Sequence, residues 1–238
     1  MTTPKNEKLR ELFNMNACDP LTVSEIDALD LTRAKPIIIC DVDEVIFHFI
    51  DGLENHLAQN ECWLDPASFA LTGNIRDVNT DEPVSQHRVG ELLFGFFDQC
   101  AHDLKPIIGA RHTLETLAET CDIVLLTNLP RDYIEQRKKN LAREGFDYPL
   151  VLNRGSKGDA VSRINQYGGR PTFFLDDSPN NIHSVAATAP ETILIHFMQD
   201  ERFRRVLPEL PETVLMAENW LQTHSFIDHN IQLKLNSV

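Results

Sequence analysis

The stretch Pro36-Ile37-Ile38-Ile39-Cys40-Asp41-Val42-Asp43 decides how this chain is read: an uninterrupted apolar run stops abruptly on two acids. A short run without polar alternation suits a strand buried on both faces, as in a parallel sheet. Two more runs behave alike. Ile123-Val124-Leu125-Leu126 ends on the hydroxyl of Thr127, and Thr172-Phe173-Phe174-Leu175 ends on Asp176-Asp177. Ligands of open α/β sheets bind at the carboxyl ends of the strands, so these ends point to one site. Lys157 precedes the last pair, and carboxylates with a hydroxyl and an ammonium suit Mg²⁺ and phosphate.

Working outward, strands and helices alternate from Ala34 onward. Helical patterns are expected over 110–120, from about 132 to Gly145, over 159–166 (closed by Gly168-Gly169) and over 180–187. Further strands are expected over 149–152 and 192–197, with a terminal helix over 212–223. That order implies a parallel sheet covered on both faces. Residues 1–33 read as a leader of one or two short helices, the first carrying Leu9, Leu12 and Phe13 and the second Val23, Ile26 and Leu29.

The alternation breaks between the first acidic pair and Pro106, a stretch far longer than one crossover needs. Helical patterns lie at both ends, 50–60 and 89–102, and the middle is rich in Pro, Gly, Asn and Asp. The expected organisation is a leader (1–33), a core (34–51 and 105–206), an inserted cap (52–104) and a C-terminal helix and tail (207–238).

The totals narrow the partners. With 238 residues, 42% hydrophobic and 24% charged, the chain can bury a substantial core. A formal charge of −14 argues against a nucleic-acid polymer or an anionic membrane surface, while leaving a small anionic substrate open. The five cysteines are scattered with no C-x-x-C spacing, which favours a reduced, cytoplasmic protein over a zinc site. No stretch approaches the ~20 apolar residues of a membrane span, and the oligomeric state is left open.

Four motifs in order resemble those of the haloacid dehalogenase (HAD) superfamily: Ile37–Val45 around Asp41-Val42-Asp43, Leu125-Leu126-Thr127-Asn128, Lys157 in Arg154–Asp159, and Phe174–Asn181 around Asp176-Asp177. The resemblance implies a three-layer α/β/α, Rossmann-like parallel sheet with a small, mainly helical cap inserted after the first strand. It also implies phosphatase chemistry. Asp41 would be the nucleophile and Asp43 the general acid and base. Thr127, with the Asn128 backbone amide, would hold phosphoryl oxygens, and Lys157 would neutralise the phosphoryl group. Mg²⁺ would be held by Asp41, by Asp43 through its backbone carbonyl, and by Asp176 with Asp177.

The residue types agree with that reading. An aspartyl-phosphate splits a very slow hydrolysis into two easier steps, provided that cations cancel the repulsion between anions. Asp43 also separates the chain from the family's dehalogenases, which lack the second acid. The acidic pair, Thr and Lys follow a different order from response-regulator receivers. Gly-Ser-Lys-Gly at 155–158 lacks the P-loop frame.

Glu44-Val45 departs from the Gly-Thr of many members. Glu44 could repel anions, read a hydroxyl or amine on the substrate, or face solvent. In the cap, Leu92, Leu93, Phe96 and Phe97 recur at packing spacing. Phe94 lies on another face as a possible stacking residue, and Arg76, His87 and Arg88 are candidates for an anionic substrate end.

The function expected is hydrolysis of a small phosphorylated metabolite. The cap-to-core return, 96–110, is similar to that of 5′(3′)-deoxyribonucleotidases, which makes a nucleoside monophosphate the leading single substrate. The alternatives are a binding or regulatory protein of the same fold and a phosphotransferase to an acceptor other than water.

Overall fold

The computed structural model describes residues 18–32, 34–167 and 171–235. The three apolar runs form the centre of one sheet. Strands β1 (Ile37–Cys40), β4 (Asp122–Thr127), β5 (Leu150–Leu152), β6 (Thr172–Asp176), β7 (Ile193–Phe197) and β8 (Leu215–Ala217) lie in the order β5-β4-β1-β6-β7-β8. All five pairings are parallel, and each strand of the central trio is buried along nearly its whole length.

Side chains alternate across the pleat. Ile37 and Ile39 join one apolar cluster with Ile26, Val161 and Ile182, while Ile38 and Cys40 join the other with Leu114, Phe146 and Trp220. Helices thus cover both faces, which a parallel sheet requires. The first face carries α1 (Pro20–Asp27), α6 (Gly158–Asn165) and α7 (Pro179–Thr188); the second carries α4 (Ala110–Ala118), α5 (Ile134–Arg143) and α9 (Trp220–Leu235).

Register places the strand ends. Cys40 pairs with Leu125 on one side and Leu175 on the other. One residue further, Asp41 is therefore level with Asp176, and its amide donates to the Leu175 carbonyl at 2.9 Å.

Between β1 and α4 the chain forms α2 (Phe49–Gln59), the antiparallel hairpin β2 (Cys62–Leu64) and β3 (Ile75–Asp77), and α3 (Gln86–Gln99). The hairpin replaces part of the turn-rich stretch read from sequence; its strands are too short to carry a periodic signal. α2 is tied to α8 (Glu201–Arg204) by Arg202, which bonds both oxygens of Glu54 at 2.7 and 3.0 Å.

The C-terminal reading needs correction. The helix expected over 212–223 starts only at Trp220, and strand β8 precedes it within the 207–238 segment. The Met198 amide donates to the Ala217 carbonyl at 2.9 Å, so the open edge of β7 recruits a three-residue run with little local preference. Asn219 marks the true helix start, accepting from the Gln222 amide at 2.9 Å.

In the leader, α1 covers the second expected helix and is capped by Asp19, which accepts from the Leu21 amide at 2.8 Å. The first expected helix (Leu9, Leu12, Phe13) and Gly168-Gly169 lie outside the described residues.

Helices α6 and α7 meet at Gly158. A Cβ there would lie 2.6 Å from the Ser184 carbonyl and collide with the hydroxyl of Thr188. Gly158→Ala is therefore expected to cost about 1–3 kcal/mol of stability, as overpacking does, measured as a lower urea midpoint with unchanged slope. A variant as stable as the parent would show that the two helices can part freely.

Candidate active site

The site is assembled where β1, β4 and β6 end. Lys157, the residue before α6, has its ammonium 2.5 Å from Asp41 Oδ1 and 2.7 Å from Asp176 Oδ2. It is 1% exposed, whereas Lys138 is exposed and paired with Glu135 at 3.1 Å. Thr127, at the end of β4, is also buried and lines the same cavity.

Asp176 is wholly buried and accepts hydrogen bonds on both oxygens. The Ser178 amide donates to Oδ1 at 2.9 Å, and Asn181 Nδ2 reaches Oδ1 and Oδ2 at 3.0 and 3.2 Å. Oxygens of Asp41, Asp176 and Asp177 lie within 4.8 Å of one another. This is a hard-oxygen donor set of the kind Mg²⁺ takes. Three carboxylates face one ammonium, so the local charge balance also fits a divalent cation. The carboxylate of Asp43 lies outside that trio and pairs instead with Arg137 Nη2 at 2.6 Å.

The loop before Lys157 is braced from below. Asn153 Nδ2 donates to Asn128 Oδ1 at 2.9 Å and to the carbonyls of Gly155 and Ser156, both at 3.2 Å. Asn128 Nδ2 in turn donates to the Gly155 carbonyl at 2.8 Å. The Asn128 side chain is thus committed to the scaffold, which leaves only its backbone for the phosphoryl role.

Arg137, Asn153 and Asn181 are the members that the sequence reading did not assign. Arg137 had a weak signal: it sits at i+3 from Ile134 and i−4 from Leu141, on the inward stripe of α5. It is 1% exposed and lies over the Phe47 ring, with its carbon Cζ 5.5 Å from the ring centroid.

Glu44 does not face solvent. It is 5% exposed with a left-handed φ of 61°, and Oε2 accepts from the Ile50 amide at 2.8 Å. That backbone geometry explains why glycine suits the position.

Above the acids is a cavity of about 480 Å³. Leu93 and Phe97 of α3 line it, whereas Phe94 faces a small hollow with Leu129, Pro130 and Arg131. Arg76, His87 and Arg88 are absent from its lining; Arg76 pairs with Asp65 at 3.0 Å and Arg88 with Glu91 at 3.2 Å.

Burial shifts the charges of this site. It pushes the Asp41 carboxyl up to about 7, against the pull of Lys157 and with the help of Asp176 and Asp43. Burial likewise raises Glu44 to about 7, opposed by the Ile50 amide. Burial, with Asp176 and Asp41 nearby, raises Asp177 well above the usual carboxylate range. The Lys157 ammonium is held above its ordinary value, with burial working against it and Asp176 and Asp41 outweighing that.

No protein-family model matches the sequence, and no curated protein matches it significantly. Solved structures do match. A haloacid dehalogenase-like family hydrolase from Xanthomonas campestris aligns at 11% identity with a TM-score of 0.55, over 87% of this chain and 98% of that one. A candidate HAD-hydrolase from Bacillus subtilis, described as bound to magnesium, aligns at 14% identity and a TM-score of 0.53, over 82% and 99%. A protein from Clostridium acetobutylicum described as a predicted phosphatase gives 11%, 0.53, and 82% and 99%. The fold is that of the HAD-like hydrolases, as the four motifs led one to expect.

The raised carboxyls set the pH dependence of the metal-free protein. Unfolded, these groups titrate near 4, so between about pH 4 and 7 the folded state binds more protons. Their stabilising contribution is full at the acid side and is lost as pH rises through about 7. Asp27, Asp77 and Asp200, held below their usual range, act with the opposite sign but at lower pH, and His56 and His196, both lowered by burial, offset part of the fall below about pH 6.5. Thermal unfolding in chelator should show Tm falling by several degrees from pH 5 to pH 8 (about 2–4 °C per kcal/mol at this size). Asp41→Asn should flatten the fall, and Mg²⁺ should restore Tm at pH 8. A Tm that rises across this window would contradict the assignment.

Proposed function

We propose that the protein hydrolyses phosphate monoesters with Mg²⁺ through a phospho-Asp41 intermediate. The observation that carries this reading is the buried Lys157 ammonium joining Asp41 to Asp176 beneath a cavity of about 480 Å³.

An oxygen of Asp41 attacks phosphorus as the ester P–O bond breaks. Asp43, whose side chain lines the cavity and is oriented by Arg137, gives its proton to the departing oxygen. Asp43 then takes a proton from water as that water attacks the phosphorus, releasing phosphate and free Asp41. Lys157 and Thr127 sit where they can hold the phosphoryl oxygens, with fixed positive charge ready before charge develops. Asp41, Asp176 and Asp177, with the Asp43 carbonyl, would hold Mg²⁺, which offsets repulsion between the carboxylates and the phosphoryl group.

Small phosphorylated metabolites are the fitting substrates, since the cap helices stand over the acids. A nucleoside monophosphate belongs in the first panel assayed; Phe49 and Phe97 offer aromatic walls. Glu44 stands outside the carboxylate trio. Five free thiols suit a reducing compartment such as the cytoplasm, and no described helix is long and apolar enough to cross a membrane.

The test is phosphate release from p-nitrophenyl phosphate with and without Mg²⁺. Activity should require the metal. Asp41→Asn should abolish it, and Asp43→Asn should lower kcat by about 10²–10⁴-fold. A metal-loaded parent that releases nothing, or Asp41→Asn turning over at the parental rate, would sink the proposal.

A further inference from the structure

The cavity has two kinds of wall. Its floor is acidic, with Asp41, Asp43, Glu44 and Asp177. Its sides and roof are apolar, built by Phe49 and Leu53 from the first cap helix, Phe69 and Leu71 from the loop within the hairpin, and Leu93 and Phe97 from the second cap helix.

Among the described residues Lys157 is the one cation of the lining, and Asp41 and Asp176 already hold it. The described cations nearby are committed as well: Arg137 to Asp43 at 2.6 Å, Arg131 to Glu25 at 2.7 Å and Arg202 to Glu54 at 2.7 Å. An enzyme that selects a doubly anionic metabolite, such as a sugar bisphosphate or a phosphorylated carboxylic acid, needs a second cation for the distal charge. Here that charge would meet hydrocarbon, with Glu44 at the cavity wall. An unpaired anion in such a place is strongly disfavoured, and like charge is a means of rejecting the wrong ligand.

Resting on the phosphatase reading, we infer that the substrate is a phosphomonoester of an alcohol whose body is apolar and carries no second anionic group, and that Glu44 with the cap's apolar wall enforces this choice.

The size is consistent. Pockets for small ligands run to about 300–1,000 Å³ and are mostly apolar with a few placed polar groups, which matches a cavity of about 480 Å³. The reaction is unchanged; only the retained leaving group is specified. The enzyme must then be fed by a kinase or hydrolase that leaves one phosphate on a hydrophobic alcohol.

The experiment uses the full chain with Mg²⁺ and three primary alkyl phosphates of similar intrinsic reactivity: ethyl phosphate, hexyl phosphate, and the hexyl compound with its terminal methyl replaced by a carboxylate. p-Nitrophenyl phosphate reports whether the phosphatase reading itself holds. Each buried methylene is worth about fourfold, so hexyl, with four more than ethyl, should exceed it by about 100-fold or more. The terminal carboxylate should erase that gain.

Phe97→Ala should cut the hexyl-to-ethyl ratio by about tenfold, and Glu44→Gln should raise the carboxylate-to-hexyl ratio. Ratios taken on one preparation are insensitive to the fraction folded. Hydrolysis of p-nitrophenyl phosphate with equal rates for ethyl and hexyl, or with the carboxylated ester as good as hexyl, would overturn this inference and leave the phosphatase reading standing. No hydrolysis of any ester would overturn both.

Discussion

One ammonium shared by two buried carboxylates is the interaction on which the site depends. Taking Lys157, Asp41 and Asp176 out of water is costly, and only short contacts with further hydrogen bonds offset that cost. The supporting residues serve this end. Asn181 and the Ser178 amide donate to Asp176 and orient it. Asn153 and Asn128 fix the loop that delivers Lys157, and the bare Gly158 lets the helix behind it sit close against α7. Removing any one of Lys157, Asp41 and Asp176 leaves a charge buried without a partner. Asp177 then adds a third carboxylate to a site with a single fixed cation. A divalent ion therefore suits the arrangement on charge alone.

A second constraint is the turn that follows Asp41. It must place Asp43 beside the site and send the chain up into the cap within a few residues. The Ile46 and Phe47 amides both return to the Val42 carbonyl at 2.9 and 3.0 Å, and Glu44 takes the left-handed conformation between them. A non-glycine residue there costs about 1–2 kcal/mol. The bond from the Ile50 amide to Glu44 is one compensation, and the indole of Trp220, donating to the Val45 carbonyl at 3.0 Å, is another. The turn thus couples the acidic floor, the cap and the C-terminal helix, and places Glu44 in the cavity lining.

How much of this was legible in the chain depends on the reach of each signal. Apolar runs ending on Asp41, Thr127 and Asp176 are local patterns, so both the strands and the convergent site could be read directly. Glycine at 145 and the helical spacing before it placed α5. Strand β8 could not be read, because three residues hold no period and pair only since β7 has an open edge. The side of the cap helix facing the cavity could not be read either: Phe94 was a possible stacking residue, and Phe97 lines the cavity instead. A helix with apolar residues on more than one face gives no cue as to which face meets the core.

By itself the sequence determined the parallel α/β sheet, the acids at its strand ends and the presence of an insert above them. These follow from side-chain period and from residues adjacent in the chain. Only the tertiary structure decided that Arg137 holds Asp43, that Asn153 and Asn181 brace the charged centre, and that Glu44 turns inward to a cavity with no spare cation among the described residues. The Arg137–Asp43 and Asn153–Asn128 contacts join residues far apart in the chain. Their geometry is set by register and helix packing, which no local pattern encodes.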